Sequence, residues 1–319
     1  MHLPTLFVAL AIGLLHAEPA DTAIELETRT GKLHGTLDLP AGAGPFPVVV
    51  LIAGSGPTDR DGNQPLMKND SLKLLGQGLA AQGIAVLRFD KRAIAKSAAA
   101  GVKEADLRFD MYVADVVDWI ALLRKDKRFT RVGVVGHSEG SLIGMLAAKQ
   151  AKADAFVSLA GAGRGAPDVL REQLNKNLPD GLKKPAMQTI DELAAGRTVA
   201  DPPILLAALF RPSVQPYLIS WFKYDPAREI AALDVPVLLV QGSTDLQITS
   251  ADAKRLAEAK KDARLVEIEG MNHVLKRAAT PAEQTKSYSD PSLPLAPELL
   301  KEVGPFLKEK LKLPKDGAN

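Results

Sequence analysis

The chain has 319 residues and a near-balanced charge, Lys+Arg 40 against Asp+Glu 38; one large α/β domain with an insertion can reach that length, and the balance leaves no phosphate-binding footprint, so nucleic acid is not an expected partner. A hydrophobic content of 46% with 24% charged residues excludes disorder as the main state. Cysteine is absent, which excludes disulfides, thiolate nucleophiles, iron–sulfur clusters and thiolate zinc sites and leaves oxygen, nitrogen and carboxylate chemistry.

From the N-terminus, Leu3 to Leu15 carry no charge and lie between His2 and His16, with small Ala17 before Glu18. This pattern predicts a signal peptide over 1–17 and a periplasmic or secreted mature chain starting near Glu18. The run is shorter than the roughly 20 residues of a membrane-spanning helix, so no stable membrane span is expected. Beyond it, Leu33 to Leu39 alternates as an edge strand would. Val48 to Ile52, Ala85 to Phe89, Val132 to Val135, Ala155 to Leu159, Val237 to Gln241 and Leu265 to Ile268 read as buried strands. Leu72 to Gln82, Met111 to Arg124, Leu142 to Lys149 and Ala251 to Lys261 carry apolar residues at helical spacing. This alternation predicts a mostly parallel sheet covered by helices on both faces, with ligands beyond the C-terminal ends of the strands. Residues 166–230 break the rhythm with eight of the 22 prolines and read as an inserted helical cap, dividing the core into 18–165 and 231–319.

The strand Val132 to Val135 runs into Gly136-His137-Ser138-Glu139-Gly140, a GxSxG nucleophile elbow. Ser138 must occupy a sharp strand-to-helix turn, and the positions two before and two after lack side chains to avoid collision. A serine at its free pKa is a poor nucleophile, so it needs a base oriented by a third group. Once the leader is removed the histidines are His34, His137 and His273. His34 lies on the early strand and His137 is adjacent to the nucleophile, whereas His273 follows the last predicted strand at the catalytic edge. Asp245, in the turn after Val237 to Gln241, is the expected orienting acid, in the order Ser138, Asp245, His273. Asp252, in the following helix, and Glu269, at a strand end, are weaker candidates; a helix N-cap is the competing role for Asp245.

A developing oxyanion needs backbone donors. Glu139 supplies one, and the loop Ala53-Gly54-Ser55-Gly56-Pro57 supplies the other, with Gly56 favoured over Ser55. Asp59, Asp61, Asn63 and Asp70 fall at calcium-loop positions, but Gln64 stands where the turn wants glycine and position 12 lacks the bidentate Glu. No metal is expected there, and the segment reads as a hydrogen-bonded brace. In the insertion, Phe210, Tyr217, Trp221, Phe222 and Tyr224 concentrate five of the chain's 15 aromatics. Two readings stand for them: packing of cap on core, or an apolar substrate wall in which Phe210, Trp221 or Phe222 lines the pocket.

The blocks GSGPTDRDGN from Gly54, GHSEG from Gly136, QGSTDLQIT from Gln241 and GMNHVLK from Gly270 resemble the α/β-hydrolase superfamily, and within it bacterial esterases with a GSGPxDRDGN loop and a GHSEG elbow. The resemblance implies an α/β-hydrolase fold, a Ser-His-Asp triad and a small-molecule ester substrate, with no cofactor. In one respect the chain departs from that pattern: where the family's turn resembles RFDKRGxGKS, Ala93 and Ala95 replace glycines, so the loop there is expected to take another path. The resulting expectation is a carboxylesterase-type serine hydrolase. A peptidase or thioesterase with the same triad, and a non-catalytic binding protein of the same fold, are the competing readings.

Overall fold

Val48, Val50 and Ile52 enter one hydrophobic core and Val49 and Leu51 another, as a strand covered on both faces requires. A computed structural model describes residues 20–312; the expected leader over 1–17 lies outside the described residues. Eight strands, β1 (Ala20–Thr28), β2 (Gly31–Leu39), β3 (Phe46–Ile52), β4 (Ala85–Phe89), β5 (Phe129–His137), β6 (Phe156–Leu159), β7 (Val237–Gly242) and β8 (Arg264–Ile268), form one sheet in the order β1-β2-β4-β3-β5-β6-β7-β8. β1 pairs antiparallel with β2 and β2 with β4, and every pairing from β4 across to β8 is parallel.

Helices Ser71–Ala81 and Pro297–Lys310 cover one face, and Phe109–Lys125, Glu139–Ala151 and Ser250–Ala259 cover the other. The first pair approach closely because Gly78 has no side chain: a Cβ there would lie 2.5 Å from Leu300 Cδ1. β6 and β7 pair directly, yet between them the chain passes through helices Ala166–Asn177, Asp180–Ala194, Ala207–Phe210, Gln215–Phe222 and Pro226–Ala231. Pro167, Pro216 and Pro226 sit in first turns of these helices, where a missing N–H leaves no bond unmade.

Two features differ from the sequence expectation. β2 is not the edge: β1 covers it, and β2 alternates because only one of its faces packs on the core. The turn after β4 keeps the left-handed backbone that glycines would favour, with φ of 68° at Ala93 and 43° at Ala95. The alanines therefore carry strain in the path that was expected to change.

Candidate functional site

Parallel pairing brings the C-terminal ends of β3, β5, β7 and β8 to one edge, and every expected catalytic residue sits in a turn there. Ser138 follows β5 with φ 56° and ψ −122°, a combination that strains a residue with a side chain. Its neighbours explain the spacing. A Cβ on Gly136 would lie 2.2 Å from the Gly140 carbonyl oxygen, and one on Gly140 would lie 2.4 Å from that of Ile52. Only glycine lets the turn close and the helix behind it rest on β3.

Asp245 follows β7 and His273 follows β8; both are buried, and His273 Nδ1 lies 2.8 Å from Asp245 Oδ2. The other carboxylate oxygen of Asp245 accepts from the amides of Gln247 at 2.8 Å and Ile248 at 3.0 Å. Burial pushes this carboxyl up, but the His273 ring and those two amides together hold it below its ordinary value. Asp245 is not the N-cap of the next helix; Thr249 occupies that position. The weaker acid candidates are placed elsewhere. Asp252 is held by Arg164 at 2.8 and 2.9 Å, and Glu269 is exposed. His34 faces Glu25 on β1.

His137 is buried, and its Nε2 donates to the His273 carbonyl at 2.7 Å. Burial, followed by repulsion from His273, drives its pKa down to about 3. A permanently neutral ring thus fixes the backbone that carries His273.

Ser55, Gly56, Ser138 and Glu139 all line one cavity of about 370 Å³. Gly56 has a φ of +70°, in the region that favours glycine. Glu139 opens its helix, so its amide belongs to the first turn that has no intrahelical partner. The loop after β3 is braced as expected: Asp59 accepts from the amides of Asp61 and Asn63, and Asn63 accepts from those of Asn69 and Asp70. Arg60 ties the brace to Asp90 through both its backbone and its guanidinium.

Sequence reasoning missed a buried network behind the elbow. Lys91 Nζ lies 3.0 Å from Glu139 Oε2 and donates to the Gly54 carbonyl at 2.5 Å, while the Tyr217 hydroxyl donates to Glu139 Oε1. One ammonium therefore joins the loop after β3 to the turn at Ser138, and one phenol joins the inserted helix Gln215–Phe222 to both. Burial, with the Glu139 charge, raises the Tyr217 phenol well above its ordinary value. A buried Lys beside the turn after β4 was visible in Asp90-Lys91-Arg92, but its partners lie 37 and 48 residues away.

Of the aromatics expected to contact substrate, Trp221 lines the 370 Å³ cavity, together with Tyr217. Phe210 and Phe222 are absent from its wall and are buried in the hydrophobic core, so packing accounts for those two. A second cavity of about 250 Å³ also reaches Ser138 and contains His273.

The family described as serine aminopeptidase, S33, matches this chain over residues 70–277. Esterase EstD of Thermotoga maritima is 29% identical over 271 residues, which are 82% of this chain and 63% of that protein, so the chain spans less than two thirds of that relative's length. Among solved structures, Est1E of Butyrivibrio proteoclasticus with ferulic acid bound has a TM-score of 0.62 at 19% identity, covering 90% of this chain and 99% of that one. The Pyrococcus furiosus esterase Pf2001 has a TM-score of 0.58 at 17% identity over 92% of this chain and 94% of its own. These likenesses establish the α/β-hydrolase fold.

Proposed function

Because the chain belongs to the serine aminopeptidase S33 family of α/β hydrolases, we propose that it is a serine hydrolase that cleaves carboxylic esters through an acyl-enzyme. The reading rests on one observation: His273 is paired with buried Asp245 at 2.8 Å and shares a cavity with the strained Ser138. Asp245 holds the Nδ1 proton, which leaves Nε2 to accept the proton of Ser138 as its Oγ attacks the carbonyl carbon. The amide of Glu139 and one from the loop after β3 receive the oxyanion. In that loop Ser55 borders both cavities and Gly56 the larger, so both amides belong to the site. The helices within 166–230 act as a cap over the site. Residues 1–17 act as a cleaved leader, so N-terminal sequencing of exported protein should begin near Glu18; an intact Met1 would refute this.

The family's description favours a second reading, cleavage of an aminoacyl amide. An aminopeptidase must hold a substrate ammonium with an uncommitted carboxylate. Glu139 is the only carboxylate lining the larger cavity among the described residues, and Lys91 already occupies it; Arg164 and Arg211 also line that wall, each paired with carboxylates of its own. The lack of an uncommitted carboxylate there favours the ester. The deciding experiment measures turnover on a panel of esters, thioesters and aminoacyl amides, with fluorophosphonate labelling of wild type and Ser138→Ala. Ester turnover with labelling at Ser138 is expected. Amide turnover exceeding ester turnover, or ester hydrolysis by Ser138→Ala within tenfold of wild type, would overturn the proposal.

A further inference from the structure

Two cavities of different polarity meet at the nucleophile, with Ser55, Ser138 and Gln247 in the walls of both. The larger, about 370 Å³, is walled mainly by apolar side chains, among them Leu142, Leu209, Leu218 and Trp221, with Arg164 and Arg211 also in its wall. The smaller, about 250 Å³, carries more hydrogen-bonding side chains, Thr58, Gln64, Asn69 and Tyr288, with Met67 and Val274 beside them. His273 borders only the smaller, and Glu139 only the larger.

This inference rests on the ester-hydrolase reading, and the chemistry of that reaction assigns the two compartments. Ser138 Oγ bonds to the carbonyl carbon and its proton passes to His273 Nε2, since Nδ1 is engaged by Asp245. When the bond from the carbonyl carbon to the alcohol oxygen breaks, that oxygen leaves carrying the same proton, so the alcohol must lie beside His273. Water then adds to the acyl carbon and gives its proton to His273. As the acid departs, that proton returns to Ser138. The acyl chain is left to the side that His273 does not border.

From this placement we infer that the substrates are esters of an apolar acid with a small hydroxylated alcohol, the acyl chain filling the larger cavity and the alcohol hydroxyls bonding the wall of the smaller. The Tyr288 hydroxyl accepts from Gln247 Nε2 at 2.8 Å, which leaves its own proton to donate to a substrate hydroxyl. Burial raises that phenol to about 12, so the proton is present at neutral pH. Gln64 Nε2 is held by the Thr58 hydroxyl at 2.9 Å, which leaves the amide oxygen as an acceptor. An apolar alcohol in this compartment would strip water from these groups and return no hydrogen bond, a loss that discriminates more strongly than a missing methylene does.

The test uses the full chain and four esters below their micellar concentrations: glyceryl monooctanoate, ethyl octanoate, glyceryl monoacetate and octyl acetate. Glyceryl monooctanoate is expected to exceed octyl acetate in kcat/KM by about tenfold or more. Tyr288→Phe, which removes one oxygen, is expected to lower kcat/KM for glyceryl monooctanoate roughly tenfold more than for ethyl octanoate. Hydrolysis of the panel with octyl acetate equal or preferred would overturn the compartment assignment while leaving the ester reading intact. An equal loss on both octanoates in Tyr288→Phe would give Tyr288 a structural role only and overturn its part. If none of the four esters is hydrolysed, the ester reading itself has failed, and this inference with it.

Discussion

Lys91→Met tests whether one buried ammonium holds the elbow and the proposed oxyanion loop together. Lys91 and Glu139 are 1% and 6% exposed and 3.0 Å apart, and the same Nζ is bonded to the Gly54 carbonyl. Removing the ammonium leaves the Glu139 carboxylate buried with the Tyr217 hydroxyl as its remaining side-chain partner. Breaking one partner of a buried pair costs about 3 to 5 kcal/mol, a fifth or more of a typical domain stability of roughly 5 to 15 kcal/mol. With a urea m-value near 3 kcal/mol/M, the midpoint should fall by about 1 to 2 M. Adding Glu139→Gln removes the stranded charge and keeps an acceptor for Tyr217, so the double variant should recover about 2 kcal/mol relative to additivity. The assay is urea denaturation of wild type, the two single variants and the double variant, with kcat/KM for an ester measured alongside. The released Gly54 carbonyl should lower kcat/KM in both variants lacking Lys91, including the double variant whose stability recovers. Additive single effects within about 0.5 kcal/mol would refute the coupling, and wild-type kcat/KM in the double variant would refute the link to the oxyanion loop.

Three further outcomes are expected. His137, with its pKa driven down to about 3 from 6.5, stays neutral in the fold while the unfolded chain takes up a proton. Its contribution is full above pH 6.5 and falls as pH drops toward 3, by about 1.4 kcal/mol per unit. Between pH 7 and 5, wild type should therefore lose about 2 kcal/mol more stability than His137→Gln, and parallel pH profiles would contradict the buried neutral ring. Ala93→Gly and Ala95→Gly relieve about 1 to 2 kcal/mol of left-handed strain each at exposed positions, against about 0.5 to 1 kcal/mol of added chain entropy. Each should leave stability level or raise it by up to about 1.5 kcal/mol in thermal denaturation, and a clear loss would show that the left-handed turn is unstrained. Trp221→Ala should reorder kcat/KM across short and long acyl esters by about tenfold, whereas Phe210→Ala should cost about 3 to 5 kcal/mol of stability and leave the chain-length order alone. The reverse pattern would exchange their roles.

The fold class and the candidate Ser138, Asp245 and His273 could be read from local pattern, because each depends on residues close in sequence. Buried strands are short apolar runs, and an elbow needs glycine two positions to either side of Ser138. The acid and base lie in turns directly after strands. β1 went unread because its weak alternation around Ile24 and Leu26 becomes a strand only by pairing with β2 along its whole length. The aromatic window could not divide itself: along one helix Trp221 reaches the cavity while its neighbour Phe222 enters the core, and helix orientation is set by the surface it packs on. The Lys91–Glu139–Tyr217 network and the division of the site into two compartments were likewise illegible. Their partners come from the turn after β4, the elbow and the inserted helices, and the charge of Lys91 carries no mark of the residues that will bury it. Contacts of that separation are chosen by sheet order and helix packing, so they exist only once the chain has folded.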